Sequence, residues 1–92
     1  MILRFRHKGL EALFFRRDAG KVTAHHAKRL RLILAALETA SVPADMNLSG
    51  MRLHPLKGAR RGQWAVSVSG NWRVVFEFDG HNVTNVDLVD YH

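Results

Sequence analysis

Apolar residues recur every three or four positions in the first half of this chain and every second position in its last third. A helical half therefore precedes a sheet half. In "KGLEALFFRR", Leu10, Leu13 and Phe14 fall on one helical face. Gly9 sits near the start of that helix, where glycine costs least, and Ala19 and Gly20 are expected to close it. Thr23 suits the N-cap of a second helix running to about Ala40, with Ala27, Leu30, Ile33, Leu34 and Leu37 on one stripe. The connection is short, which predicts an antiparallel pair. Ahead of the helices, "ILRF" at residues 2–5 alternates apolar and basic side chains as a short first strand would, and after them residues 45–50 read as a loop.

In "QWAVSVS", Trp64, Val66 and Val68 alternate with Ala65, Ser67 and Ser69. Gly70 and Asn71 supply a two-residue turn, and Trp72, Val74, Phe76 and Phe78 then alternate with Arg73, Val75 and Glu77. Asp79 and Gly80 signal a second hairpin into "NVTNVDLV", and "MRLH" at residues 51–54 is the candidate fourth strand. Two amphipathic helices must bury their stripes, and the large apolar surface open to them is the Trp64, Trp72 and Phe76 side of this meander. The expected fold is α+β, a single compact domain over residues 1–92 in which an antiparallel sheet carries two N-terminal helices on one face. The other face, lined by Ala65, Ser67, Ser69 and Arg73, is small, polar and locally basic. Such a floor lets a bulky ligand come close, and a basic group on it suits phosphate.

The 92 residues, 47% hydrophobic and 24% charged, have the make-up of one folded domain rather than a disordered tail. With no cysteine, the chain can form no disulfide, thiolate nucleophile or cysteine-based zinc site. No apolar stretch is long enough to span a bilayer, and "MILRFRHKG" lacks the continuous apolar region and cleavage site of a secretory leader. A cytoplasmic protein with no membrane partner is expected. The formal charge of +6, from 14 Lys and Arg against 8 Asp and Glu, favours a polyanionic partner, nucleic acid first. Between Asp45 and Glu77 no acidic residue occurs, whereas Arg52, Lys57, Arg60, Arg61 and Arg73 do. That window is an electropositive footprint, although a solvated surface that only aids solubility has the same composition.

Three clusters carry candidate chemistry. In "LHPLKGARRG", Pro55 pushes His54 into extended geometry and supplies no backbone donor, so a strand ends and a loop begins. Gly58 and Gly62 frame that loop and leave Lys57, Arg60 and Arg61 exposed; the plain alternative is a solvated loop with a histidine satisfied by a backbone carbonyl. In "GNWRVVF", Trp72 is a core anchor, while Arg73 on the other face is either a lone surface arginine or a phosphate clamp. Its planar fork can donate two hydrogen bonds to one phosphoryl group. "VDLVDYH" ends the chain on Asp90, Tyr91 and His92, proton-transfer side chains placed where chain ends commonly fray. Val86 and Leu88 anchor the strand before them. Strict alternation turns Tyr91 away from Asp90 and His92 unless the strand twists, bulges or ends near Val89. His25 and His26, adjacent on a helix, point about 100° apart. The spacing of these with His54, His81, His92 and Asp90 suits no metal, and no cofactor is expected.

With "LHPLKG" at residues 53–58, Trp64, "NWRVVF" at 71–76, the terminal "DYH" and "HKGLEALF" at 7–14, the chain resembles the HigB toxins, RelE-like mRNA interferases of bacterial toxin–antitoxin pairs. The resemblance covers essentially the whole chain and is most specific over residues 53–92. It implies a compact sheet with two helices, and a toxin that cleaves messenger RNA on the ribosome until silenced by a cognate HigA-like helix-turn-helix antitoxin. By position it implies active-site roles for His54, Lys57, Arg73, Asp90, Tyr91 and His92. Ala59 stands where relatives often have an acidic residue, which makes "KGARRG" more basic here. An imidazole, with a free pKa of about 6.5, serves as acid or base. His54 and His92 are thus the candidates for the two proton transfers of a metal-free attack by the RNA 2′-hydroxyl, in either assignment. Arg73 and Lys57 would stabilise the added charge, Tyr91 would stack on a base or orient the 2′-hydroxyl, and Asp90 would fix a histidine tautomer. Arg60, Arg61, Lys28, Arg29 and Arg31 are expected to hold RNA backbone. The competing expectations are a non-catalytic RNA- or DNA-binding module, a metal-dependent nuclease, and an inactive relative retained as an antitoxin partner.

Overall fold

The computed structural model describes residues 1–91, and His92 lies outside them. Helix α1 spans Lys8–Arg16 and helix α2 spans Ala24–Thr39. The first begins where His7 Nδ1 accepts the Leu10 N–H at 3.1 Å, satisfying one of the helix's open donors. A Cβ on Gly9 would lie 2.7 Å from the His7 ring and 2.9 Å from the Lys21 carbonyl oxygen. Glycine is therefore required there by close packing, not merely tolerated near a helix start. The helix ends before Ala19 and Gly20, earlier than expected. Arg17 turns left-handed at φ 53°, Asp18 N–H reaches the Ala12 carbonyl at 3.2 Å, and Asp18 Oδ1 accepts the Gly20 N–H at 2.9 Å. A side-chain-made turn precedes and displaces the glycine signal. Helix α2 matches its expected span, with Thr23 at the N-cap and Leu30, Ile33, Leu34 and Leu37 buried. Part of the expected loop after it winds into a 3₁₀ turn, Pro43–Met46.

Four antiparallel strands follow in spatial order β1-β2-β3-β4: His54–Pro55, Gln63–Ser69, Trp72–Asp79 and Asn82–Asp90. The first is shorter and later than "MRLH" suggested, because Arg52 at φ 52° interrupts the extended backbone. Met51 still gives its carbonyl to the Ser67 N–H at 2.7 Å. The second hairpin turns at Gly80 and His81, one residue later than expected: Asp79 pairs with Asn82, and Gly80 at φ 62° takes the first turn position, where glycine-first two-residue turns need it. Residues 2–5 form no separate strand. They run parallel to β4 through single bridges, Ile2 to Val83 and Phe5 to Val86, and so cover its outer edge.

Both helices lie on one face of the sheet, as their stripes required. Leu10, Leu13, Leu30, Ile33, Leu34 and Leu37 interlock with Val66, Val68, Val74, Phe76, Val83 and Val86, while Trp64 and Trp72 pack half-buried at the margin. Arg29 links the layers: its Nη2 donates to the Gly50 carbonyl at 2.7 Å and the Ser67 carbonyl at 3.1 Å, and its Nε is buried without a partner. Arg29→Ala is expected to cost about 1–3 kcal/mol by leaving those carbonyls without a protein donor. For a domain of this size each kcal/mol lowers Tm by about 4–8 °C, which a thermal melt would read.

Candidate active site

Residues directly opposite each other on neighbouring strands share a face. The register therefore sets out two rows on the side away from the helices: His54, Ala65, Val75 and Asp87 in one, Ser67, Arg73 and Val89 in the next. Tyr91 extends this face. Its N–H donates to the Asn71 carbonyl at 2.8 Å, keeping the chain end paired, and its ring packs with Leu56 and Val89 against Ala65 and Val75. The floor thus differs from the one expected. Ser69 leaves it, because a bulge between Ser67 and Ser69 brings Ser69 opposite Trp72. Ala65 and Val75 are buried beneath Leu56 and the aromatic ring, so the floor is apolar at its centre and polar at its rim.

His54 sits half-exposed at the rim, its Nδ1 2.9 Å from the Arg52 carbonyl oxygen. A carbonyl only accepts, so Nδ1 carries the proton and the neutral ring offers Nε2 as an acceptor. The backbone carbonyl that satisfies one nitrogen also aims the other. Across the floor, Arg73 Nη1 donates to the Gly70 carbonyl at 2.7 Å and the Trp72 carbonyl at 3.0 Å. These bonds clamp the guanidinium over the β2–β3 turn and leave the Nε–Nη2 edge as a two-pronged donor suited to a phosphoryl group.

Lys57, Arg60 and Arg61 are exposed on the loop between β1 and β2, where Gly58 and Gly62 adopt φ 66° and 98°. A relay that sequence reasoning missed ties this loop to the sheet. Arg60 Nη1 donates to Gln63 Oε1 at 3.3 Å, Gln63 Nε2 donates to Glu77 Oε2 at 3.3 Å, and Asn85 Nδ2 donates to the same oxygen at 3.2 Å. A carboxylate only accepts, so Glu77 turns the Gln63 amide oxygen toward Arg60. The available signal was Asn85 inside a β-branched run. It takes φ 53° where the β3–β4 register shifts, a conformation asparagine adopts more readily than its neighbours Thr84 and Val86 could.

The fold brings His54, Arg73 and Tyr91 to one face and places Lys57 on the adjoining loop. It does not bring Asp90 there by alternation: the ladder stays regular to the end, Asp90 stands opposite Trp72, and its side belongs to the helix-facing set. His92, the last residue of the expected constellation, lies outside the described residues. Lys28 and Arg31 are exposed on α2, in the layer on the other side of the sheet, and Arg29 is committed to its two carbonyls. Among the described residues no three of His, Asp and Glu gather in a way that could hold a metal ion, and no helix is long and apolar enough to cross a membrane.

The model of a family described as the RelE-like toxin of type II toxin–antitoxin system HigB matches residues 3–92. The chain is 38% identical to Endoribonuclease HigB of Proteus vulgaris over 92 residues, all of both chains.

Proposed function

This chain belongs to the HigB-like family of RelE-like toxins of type II toxin–antitoxin systems, and from that premise we propose that it cleaves messenger RNA as it is translated on the ribosome. Membership makes it a toxin with an antitoxin partner, and full-length identity of 38% to a named endoribonuclease makes it an endoribonuclease. The step beyond that is the mechanism. The 2′-hydroxyl of one nucleotide attacks the adjacent phosphorus, the bond to the 5′-oxygen of the next nucleotide breaks, and the products are a 2′,3′-cyclic phosphate and a 5′-hydroxyl. The observation that carries this reading is His54, pinned through Nδ1 so that Nε2 is its acceptor, on the same face of the sheet as Arg73 and Tyr91.

In this route His54 Nε2 takes the proton from the 2′-hydroxyl and His92 gives one to the leaving 5′-oxygen. Arg73 meets the two non-bridging oxygens with its Nε–Nη2 edge, and Lys57 adds charge from the loop as the phosphorane-like transition state forms. Tyr91 offers a ring beside an apolar floor on which a base stacks. Asp90, at the strand end next to His92 in the chain, has the role of orienting that histidine. A HigA-like helix-turn-helix protein is the antitoxin that silences the activity.

Induction of the native-ended protein beside His92→Ala in growing bacteria tests the proposal. New mRNA 5′ ends in frame within translated codons, seen for the native chain alone, are expected. Folded protein that binds RNA and yields no new ends would leave only a binding module. Salt supplies a second check. If Arg60 and Arg61 each contact one phosphate, replacing both with alanine should flatten the slope of log affinity against log salt by roughly 1.4, at about 0.7 per contact for single-stranded RNA. Lys28→Ala with Arg31→Ala should leave the slope as it is, because those cations stand on the other side of the sheet.

A further inference from the structure

Residues 57–62 bridge β1 and β2 from a fixed base: the Leu56 N–H donates to the Gln63 carbonyl at 2.9 Å, and the Leu56 side chain packs on Ala65 and Val75. Gly58 and Gly62 take φ 66° and 98°, and a Cβ added to either would meet no atom within 4 Å, so packing does not restrain the backbone at those two hinges. Within the loop a 3₁₀ turn, Gly58–Arg60, makes one unit of its cations. The Arg60 N–H donates to the Lys57 carbonyl at 3.3 Å and the Arg61 N–H to the Gly58 carbonyl at 3.1 Å. The Arg60 side chain ties that unit to the sheet, through the relay from Gln63 to Glu77 and Asn85.

We propose that Glu77 is a positioning residue for RNA cleavage: acting through Gln63 and Arg60, it holds the loop so that Lys57 reaches the scissile phosphate. The inference rests on the proposed role of Lys57 for its catalytic consequence and on the relay for the placement of the loop. Polarity makes the relay directional. A guanidinium only donates and a carboxylate only accepts, whereas the Gln63 amide does both. It therefore satisfies its two neighbours in one orientation alone, oxygen toward Arg60 and nitrogen toward Glu77. Asn85 donates to the same Glu77 oxygen and keeps the carboxylate facing Gln63. Register sets this hub on the working face: Gln63 pairs with Glu77 two residues along from Ala65 and Val75, so both side chains stand on the side of the sheet that carries His54. Gln63, Glu77 and Asn85 are all half-buried, where a hydrogen bond is stronger than in open water. A loop with two glycine hinges samples many placements of Lys57. The relay removes most of them before RNA arrives, so that freedom is not lost on the way to the transition state.

The test uses the full-length toxin on programmed ribosomes, with circular dichroism to confirm the fold of each variant. Glu77→Ala removes the hub, and Gln63→Leu breaks the relay without touching its charge. Gln63→Glu together with Glu77→Gln exchanges carboxylate and amide: position 63 still accepts from Arg60, and position 77 donates to it while accepting from Asn85. Both broken relays are expected to lower kcat about 10- to 100-fold with smaller changes in KM and Tm, and the exchange to restore a rate near native. In a Lys57→Ala background, Glu77→Ala should slow cleavage no further, because it acts through Lys57. Loop placement is read apart from activity by brief trypsin digestion with mass mapping. Nicking after Lys57, Arg60 and Arg61 should be faster in both broken relays and native-like in the exchange. Native kcat in Glu77→Ala, a loss that the exchange does not restore, or a full further loss in the Lys57→Ala background would overturn the proposal. So would nicking that no variant changes. Lys57→Ala cleaving at the native rate would sink the catalytic role of Lys57, and a native chain that cuts no message would sink the nuclease reading. In either case the nicking pattern alone decides whether the relay holds the loop.

Discussion

His54→Ala is expected to slow mRNA cleavage by about 10²- to 10⁴-fold, the contribution of one positioned acid or base, while leaving the fold in place. The side chain is half-exposed, and its hydrogen bond goes to the Arg52 carbonyl two residues away, which can turn to water when the ring is removed. Cleavage rates on programmed ribosomes together with a thermal melt check both halves of the expectation. His54→Gln separates position from proton transfer: its amide can donate to the same carbonyl, yet it has no basic nitrogen, so it should be as slow as alanine. Full activity in either variant would remove His54 from the mechanism.

Arg73→Ala should lower kcat by about 10²- to 10³-fold, the usual cost of one preorganised donor to a charge that develops in the transition state. Arg73→Lys is expected to recover little. An ammonium carries the charge but lacks the planar edge, and the Nη1 bonds to Gly70 and Trp72 that aim the guanidinium would be lost with it. A lysine variant near native rate would show that Arg73 supplies only field, not geometry. Ground-state RNA affinity should change less than kcat, since the two non-bridging oxygens share one negative charge at the start and approach two only as the bond to the 2′-oxygen forms.

The helical half and the meander were legible because burial leaves a period. The α2 stripe from Leu30 to Leu37 and the alternation of Val66, Val74 and Phe76 each specify which side faces the core, and the two surfaces fit only each other. The ends of elements were less legible. Closure of α1 was decided by Asp18 bonding Gly20 and the start of β1 by a left-handed Arg52, local choices that leave no periodic trace. Arg29 read as one more surface cation because composition cannot tell a solvated guanidinium from one pinned to Gly50 and Ser67.

By itself the sequence determined the family, the α+β layering, the loop that presents Lys57, and the parity that sets Arg73 on the face opposite the helices. These follow from residue type and spacing, which act locally or through a two-sided pattern. Tertiary structure alone decided which of the candidate residues meet. The registers of three strand pairs put His54 in line with Ala65 and Val75 and set Arg73 opposite Val89, on the face that Tyr91 extends. The regular end of β4 turns Asp90 to the other side, and the helix layer carries Lys28 and Arg31 to the far surface. Register is fixed by which side chains the core accepts across strands distant in sequence, so it is a property of the packed sheet and not of any one segment.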